Sequence, residues 1–100
     1  MDTGTTYRFA DRTLHDIAVQ RMSAAGWRRY EAAVLGMQLA VDTGHVDELH
    51  VCAEFLATLR IPHQKAGSDP TRTDQPVRLH QMTMRLAEAL ATLVADHPAQ

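Results

Sequence analysis

Aromatic residues make up 5% of this chain and cysteine occurs once. Strands draw on aromatic and β-branched side chains, so a sheet-built core is disfavoured. The single Cys52 has no partner for an internal disulfide, and nothing in the sequence asks for an oxidising compartment. The five glycines are scattered, which excludes a phosphate-cradling loop, and no serine-centred nucleophile elbow is present. Charge of one sign is also missing. Ten Lys and Arg stand against twelve Asp and Glu, for a net charge of -2. Arg28-Arg29 reads as a solvated spot on a helix, so nucleic acid is not an expected partner. The apolar run from Ala32 to Met37 stops at Gln38, far short of a membrane span. The polar, acidic Met1–Thr6 is unlike a signal peptide, and a cytoplasmic location is expected.

What is present is helical pattern. Hydrophobic residues are 45% of the chain and charged residues 22%, ordinary for one soluble globular domain spanning residues 1–100. Trp27, Tyr30, Val34, Met37 and Val41 recur at steps of three and four. After Thr43-Gly44-His45 the period resumes at Leu49, Cys52, Leu56 and Leu59. Two amphipathic helices joined by a tight glycine turn account for this, and their hairpin is the expected centre of the fold. Ser23 before Ala24 is a good helix start, although Gly26 ending the preceding helix is the other reading. Asp47 and Glu48 suit the first turn of the third helix, which runs to about Arg60, with Pro62 as a stop.

Around this hairpin, residues 1–9 read as a polar tail anchored by Tyr7 and Phe9. A first helix follows, capped by Asp11 or Thr13, with Leu14, Ile17, Ala18 and Met22 on its stripe. Residues 61–76 hold three of the four prolines and read as a long loop. Asp74 is the expected cap of a last helix, with Pro76 in its first turn. The stripe of that helix is Leu79, Met82, Leu86, Leu90 and Leu93, flanked by Ala87, Ala89 and Val94. The expected fold is all-α, a small bundle of about four helices, with Trp27, Val34, Met37, Leu49, Leu56, Leu86, Leu90 and Leu93 in the core.

Candidate chemistry is sparse. His50 and Glu54 stand at i, i+4, a spacing that places two metal ligands on one face, but no second pair or His-Glu-x-x-His run accompanies them. His80 and Met84 share that spacing, while methionines at stripe positions serve as gap-fillers. Cys52 and His50, two apart on a helix, point away from each other, so no nucleophile–base pair results. No catalytic residue, metal or cofactor is therefore expected. Trp27 and Tyr30 can anchor a partner or close the end of the core. The wide stripe of the last helix leaves Leu93 and Val94 on its flank, so Trp27, Tyr30, Leu93 and Val94 are the candidate partner-binding residues, with a homodimer through this helix as the expected assembly.

The stretch Met22-Ser23-Ala24-Ala25-Gly26-Trp27, Glu31-Ala32-Ala33-Val34-Leu35 and Ala40-Val41-Asp42-Thr43-Gly44 resembles the CATRA-system-associated small proteins encoded beside caspase- and TPR-containing bacterial conflict systems. The similarity continues through Asp47-Glu48-Leu49 and Phe55-Leu56-Ala57-Thr58-Leu59-Arg60-Ile61-Pro62 to a last helix beyond a proline-rich loop. It implies an accessory or adaptor role without catalysis. The expected function is therefore a non-enzymatic protein-binding adaptor or regulator, whose partner is another protein or a second copy. The alternatives are an accessory subunit or small enzyme of a metabolic pathway, with a pocket between helices, and a helical DNA-binding regulator, against which the charge balance argues.

Overall fold

In the computed structural model, residues 2–61 and 71–98 are described. They form four helices, α1 (Thr3–Ala18), α2 (Ala24–Thr43), α3 (Val46–Ala57) and α4 (Val77–Asp96). Going round the bundle, α1 packs on α3, α3 on α2, α2 on α4, and α4 on α1. The expected all-α bundle is what the chain forms.

The first helix starts earlier than its hydrophobic pattern suggests, and the reading of residues 1–9 as a tail is corrected. Asp2 is the N-cap, its carboxylate accepting from Thr5 N–H at 2.7 Å. Tyr7, Ala10, Leu14 and Ile17 then fall on one buried stripe, with Gly4, Thr6 and Thr13 buried beside them. Small residues fit here because α1 passes close to the end of α4. A Cβ on Gly4 would lie 2.9 Å from the His97 carbonyl oxygen. Neither Asp11 nor Thr13 caps the helix, and Met22 lies beyond its end.

The hairpin follows its sequence signals. Ser23 caps α2, accepting from Gly26 N–H at 3.2 Å. Gly44 takes φ +73°, a left-handed conformation that glycine adopts without a Cβ penalty. His45 N–H donates to the Ala40 carbonyl at 2.9 Å and Gly44 N–H to Val41 at 3.3 Å, the paired bonds of a Schellman motif. This turn reverses the chain so that α3 runs back along α2. A Cβ on Gly36 would lie 2.8 Å from Cys52 Sγ, so these two residues face each other across the α2–α3 contact. Helix α3 ends at Ala57, and a tight turn carries the chain through Arg60.

At α4 the expected cap is also corrected. Pro76 occupies the N-cap position, where its missing N–H costs nothing. Asp74 instead faces Arg21 at 3.6 Å on the surface. The reading of 61–76 as a loop falls mostly on residues 62–70, outside the described set. Its flanks are both tied to the α1–α2 turn. Gln20 donates to the Leu59 carbonyl at 3.1 Å and accepts from Ile61 N–H at 2.9 Å. Met22 and Thr73 form an antiparallel bridge with both backbone bonds at 2.9 Å.

The core joins all four helices. Seven of the eight expected core residues are buried, and the eighth, Leu93, is half-buried at its edge. Tyr7, Ala10, Leu14, Ile17, Tyr30 and Leu79 complete much of the rest.

Candidate functional site

Trp27 and Tyr30 are 4% and 0% exposed, so both sit in the core. Both polar atoms are answered from within. Trp27 Nε1–H donates to the Thr73 carbonyl at 3.0 Å. Tyr30 OH is hydrogen-bonded to Thr83 Oγ1, and Gln75 Nε2 donates to both oxygens, at 3.0 and 2.9 Å. Burial pushes the Tyr30 phenol up despite these bonds, so it stays neutral. The two aromatics meet edge to face at 5.2 Å and close the core where residues 71–76 cross the bundle.

Leu93 and Val94 are half-buried and packed against the core. Leu79, Leu86 and Leu90 are buried, and Met82 and Ala87 lean on the same cluster. The core thus takes up most of the α4 stripe, and the large hydrophobic residues of α4 left exposed are Val77 and Met84. The four candidate partner-binding residues do not come together as a surface.

The titratable candidates are paired locally, except that the buried Nδ1 of His50 has no hydrogen-bond partner among the described residues. His50 Nε2 lies 2.5 Å from Glu54 Oε1, and the imidazole rests against Phe9 at 5.6 Å between centroids. Among the described residues, no three His, Cys, Asp or Glu side chains converge to hold a metal. His80 Nδ1 meets Gln75 Oε1 at 3.1 Å and so steadies the residue that bridges Tyr30 and Thr83. The Cys52 thiol is half-buried in the α2–α3 contact. Burial first, and the nearby Glu48 carboxylate second, push its pKa up, which keeps it a poor nucleophile.

The feature that sequence reasoning missed lies on the outside of the hairpin. Among the described residues seven large hydrophobic side chains are exposed, and four of them belong to α2 and α3. Leu35 and Leu39 are 55% and 61% exposed, and Val51 and Phe55 are 64% and 44% exposed. Each pair is spaced i, i+4, so each shares one face of its helix. Their buried neighbours show which face this is. Val34, Met37 and Ala40 on α2, and Leu49, Ala53 and Leu56 on α3, point to the core. The exposed four stand on the side away from the core, Leu35 at the edge that borders α4. The remaining three, Val19, Val77 and Met84, lie on other elements.

Charge is segregated along this face. Between Glu31 and Asp42, α2 carries no ionisable residue. Arg28 and Arg29 are exposed at its start, and Asp42 is exposed at its end, where Asp47 and Glu48 open α3. Glu31 is turned to α4, where Arg78 Nη2 donates to it at 3.0 Å and Nη1 at 2.5 Å. The α2 side of the hairpin thus has an apolar middle, a basic end and an acidic end, while on α3 the exposed Glu54, paired with His50, stands beside Phe55. Among the described residues, no helix is long and apolar enough to cross a membrane.

Comparison of the chain with protein-family models, with curated proteins and with solved structures finds no match.

Proposed function

We propose that this chain is a non-enzymatic protein-binding module, an adaptor or accessory protein, and that the outer face of the α2–α3 hairpin is its contact surface. One observation carries this reading. Four large apolar side chains, each about half exposed or more, share one side of one hairpin while the core behind them is complete. Exposed apolar groups scattered singly are ordinary, whereas a contiguous patch marks an interaction site. The resemblance to the small proteins of caspase–TPR conflict systems supports the same kind of role and suggests bacterial conflict as its setting. A small enzyme with a pocket between helices is less well supported. The apolar cleft between α2 and α4, lined by Val34, Leu35, Gln38, Met82 and Arg85, holds about 80 Å³, against roughly 300–1,000 Å³ for ligand pockets. The larger hollows, about 800 Å³ beside Asp2, Arg8 and His97 and about 370 Å³ beside Met22, Arg29 and Leu59, are open surface depressions without a convergent catalytic set among the described residues.

The test is site-specific photo-crosslinking in the host cell. A photoreactive residue at Leu39 is expected to give a discrete protein adduct, whereas one at exposed Thr92 on α4 gives none. Phe55→Glu in the same chain is expected to abolish the adduct while helical circular dichroism is unchanged. Equal adducts from Leu39 and Thr92, or an adduct indifferent to Phe55→Glu, would refute the assignment of the face.

A further inference from the structure

Resting on that reading of the α2–α3 face, we infer that its occupant is a second copy of this chain, stacked face to face across a two-fold axis that runs in the interface and reverses the helix direction. Three features of the face argue for this arrangement.

The first is charge. Arg28 and Arg29 lie at one end of the hairpin face, and Asp42, Asp47 and Glu48 at the other. A second copy laid parallel would set arginine on arginine and acid on acid. A reversed copy sets the basic end of each chain on the acidic end of its mate, the complementarity that fixes register at interfaces. Among the described residues Arg28 has no ion-pair partner, so its guanidinium is available to the mate.

The second is register. Gly36 stands against Cys52, so Leu35 is level with Ala53 in this antiparallel hairpin. A two-fold axis at that level has Arg28 seven residues to one side on α2 and Asp42 seven residues to the other. The same axis has Val51 two residues to one side on α3 and Phe55 two residues to the other. One operation therefore lays Arg28 on the mate's Asp42, Val51 on its Phe55, and Leu35 on its own counterpart. Self-complementarity of this kind is what an isologous dimer requires.

The third is area. Four large apolar side chains at about half exposure amount to a patch on the order of 400 Å² per chain, within the range of the largest patches on monomers. Two such patches face to face remove roughly 800 Å² of apolar surface, and the charged ends bring the total toward the ~1,200–2,000 Å² of a stable specific interface.

Light scattering of the purified chain at high micromolar concentration is expected to give a dimer mass. Leu35→Glu, which places a charge on the axis but outside the core, should give a monomer with unchanged helical content. Arg28→Glu and Asp42→Arg should each raise the dimer dissociation constant about tenfold, because two pairs are lost per dimer. The double variant exchanges the signs and should restore the parent value. Orientation is read with Arg28→Cys and Asp42→Cys combined in a Cys52→Ala background. Those two positions lie about 21 Å apart along one helix, beyond disulfide reach within a chain. A disulfide-linked dimer from the combined variant, and none from either alone, is the expected result.

A monomer mass, a dimer that ignores Leu35→Glu, no rescue in the charge-swapped variant, or linkage by Arg28→Cys alone would each overturn the inference. The in-cell adduct at Leu39 fails separately. If it carries a different protein while the purified chain is monomeric, the dimer is wrong and the face still binds a partner.

Discussion

The contact between Gly36 and Cys52 sets the spacing of the hairpin and the level of its outer face, and it can be tested by size exchange. Gly36→Ala replaces a mid-helix glycine in α2, which on backbone entropy alone stabilises by about 0.5–1 kcal/mol. The added methyl, however, would lie 2.8 Å from Cys52 Sγ, closer than side chains pack, and the neighbours must yield. Overpacking of this kind costs about 1–3 kcal/mol. The net expectation in the parent chain is a loss between zero and roughly 2 kcal/mol. In a Cys52→Ala background the sulfur is gone and the propensity gain should return, so Gly36→Ala then stabilises by about 0.5–1 kcal/mol. The four chains form a double-mutant cycle, read by urea denaturation followed by helical circular dichroism, with an expected coupling of about 1–3 kcal/mol. The denaturant slopes should agree, showing that compactness has not changed. An equal effect of Gly36→Ala with and without Cys52 would show that the helices do not meet at this level. The register used for the two-fold face would then fall with it.

Truncating Leu56 or Leu86, each 0% exposed, to Ala should cost about 2–5 kcal/mol in chemical denaturation; a variant as stable as the parent would contradict the packing of α3 and α4. Tyr30→Phe should cost only about 1 kcal/mol, because Thr83 and Gln75 keep each other as partners at 2.9 Å, and a loss several times larger in the same assay would mean that the phenol alone holds residues 71–76 to the bundle. The Arg78 hydrogen bonds hold the Glu31 carboxyl below its ordinary value, and the Thr5 N–H does the same for Asp2. Both groups favour the folded state when ionised, so their contributions are complete above the ordinary carboxylate range and are lost as pH falls through the lowered folded values. Glu31→Gln with Asp2→Asn should therefore flatten the acid limb of a stability–pH profile, and an unchanged limb would show that neither interaction persists in solution.

The boundaries of α2 and the turn after it were legible because they rest on local chemistry. Ser23 before two alanines makes a cap, and Gly44 after Thr43 makes a left-handed stop. The start of α1 was illegible for an equally local reason. Its buried side includes Gly4, Thr6 and Thr13, small or polar residues that a count of hydrophobic steps passes over. The signal that identifies it is the capping Asp2 together with Tyr7, Ala10, Leu14 and Ile17 at helical spacing. The role of Trp27 and Tyr30 could not be decided from their own helix. A buried Trp N–H or Tyr OH needs a partner, and here Thr73, Gln75 and Thr83 supply it from more than forty residues away. The outer face was hidden by topology. Leu35, Leu39, Val51 and Phe55 repeat at a helical interval beside the main stripes, so the sequence alone allows a wider core to absorb them. Only the order α1–α3–α2–α4 around the bundle leaves the outside of the hairpin uncovered.

The proposed self-association and the proposed partner binding use one face, which links the two equilibria. In the two-fold dimer the four apolar side chains are covered, so a different protein reaches them only by displacing the mate. Binding is then linked to the monomer–dimer equilibrium, and the apparent affinity for a partner falls by the fraction of chain held as dimer. On this proposal a dilute chain is the competent form, and a concentrated one has its contact surface masked. The charged ends tune this balance. Their pairs are exposed and screened by salt, so the dimer weakens as ionic strength rises while the apolar middle is little affected. A partner matched chiefly to the apolar middle therefore gains on the mate at high salt. A partner that also carries the reversed charge pattern gains nothing, since it loses the same screened pairs. The salt dependence of competition between partner and mate thus reports which half of the face, apolar or charged, the partner reads.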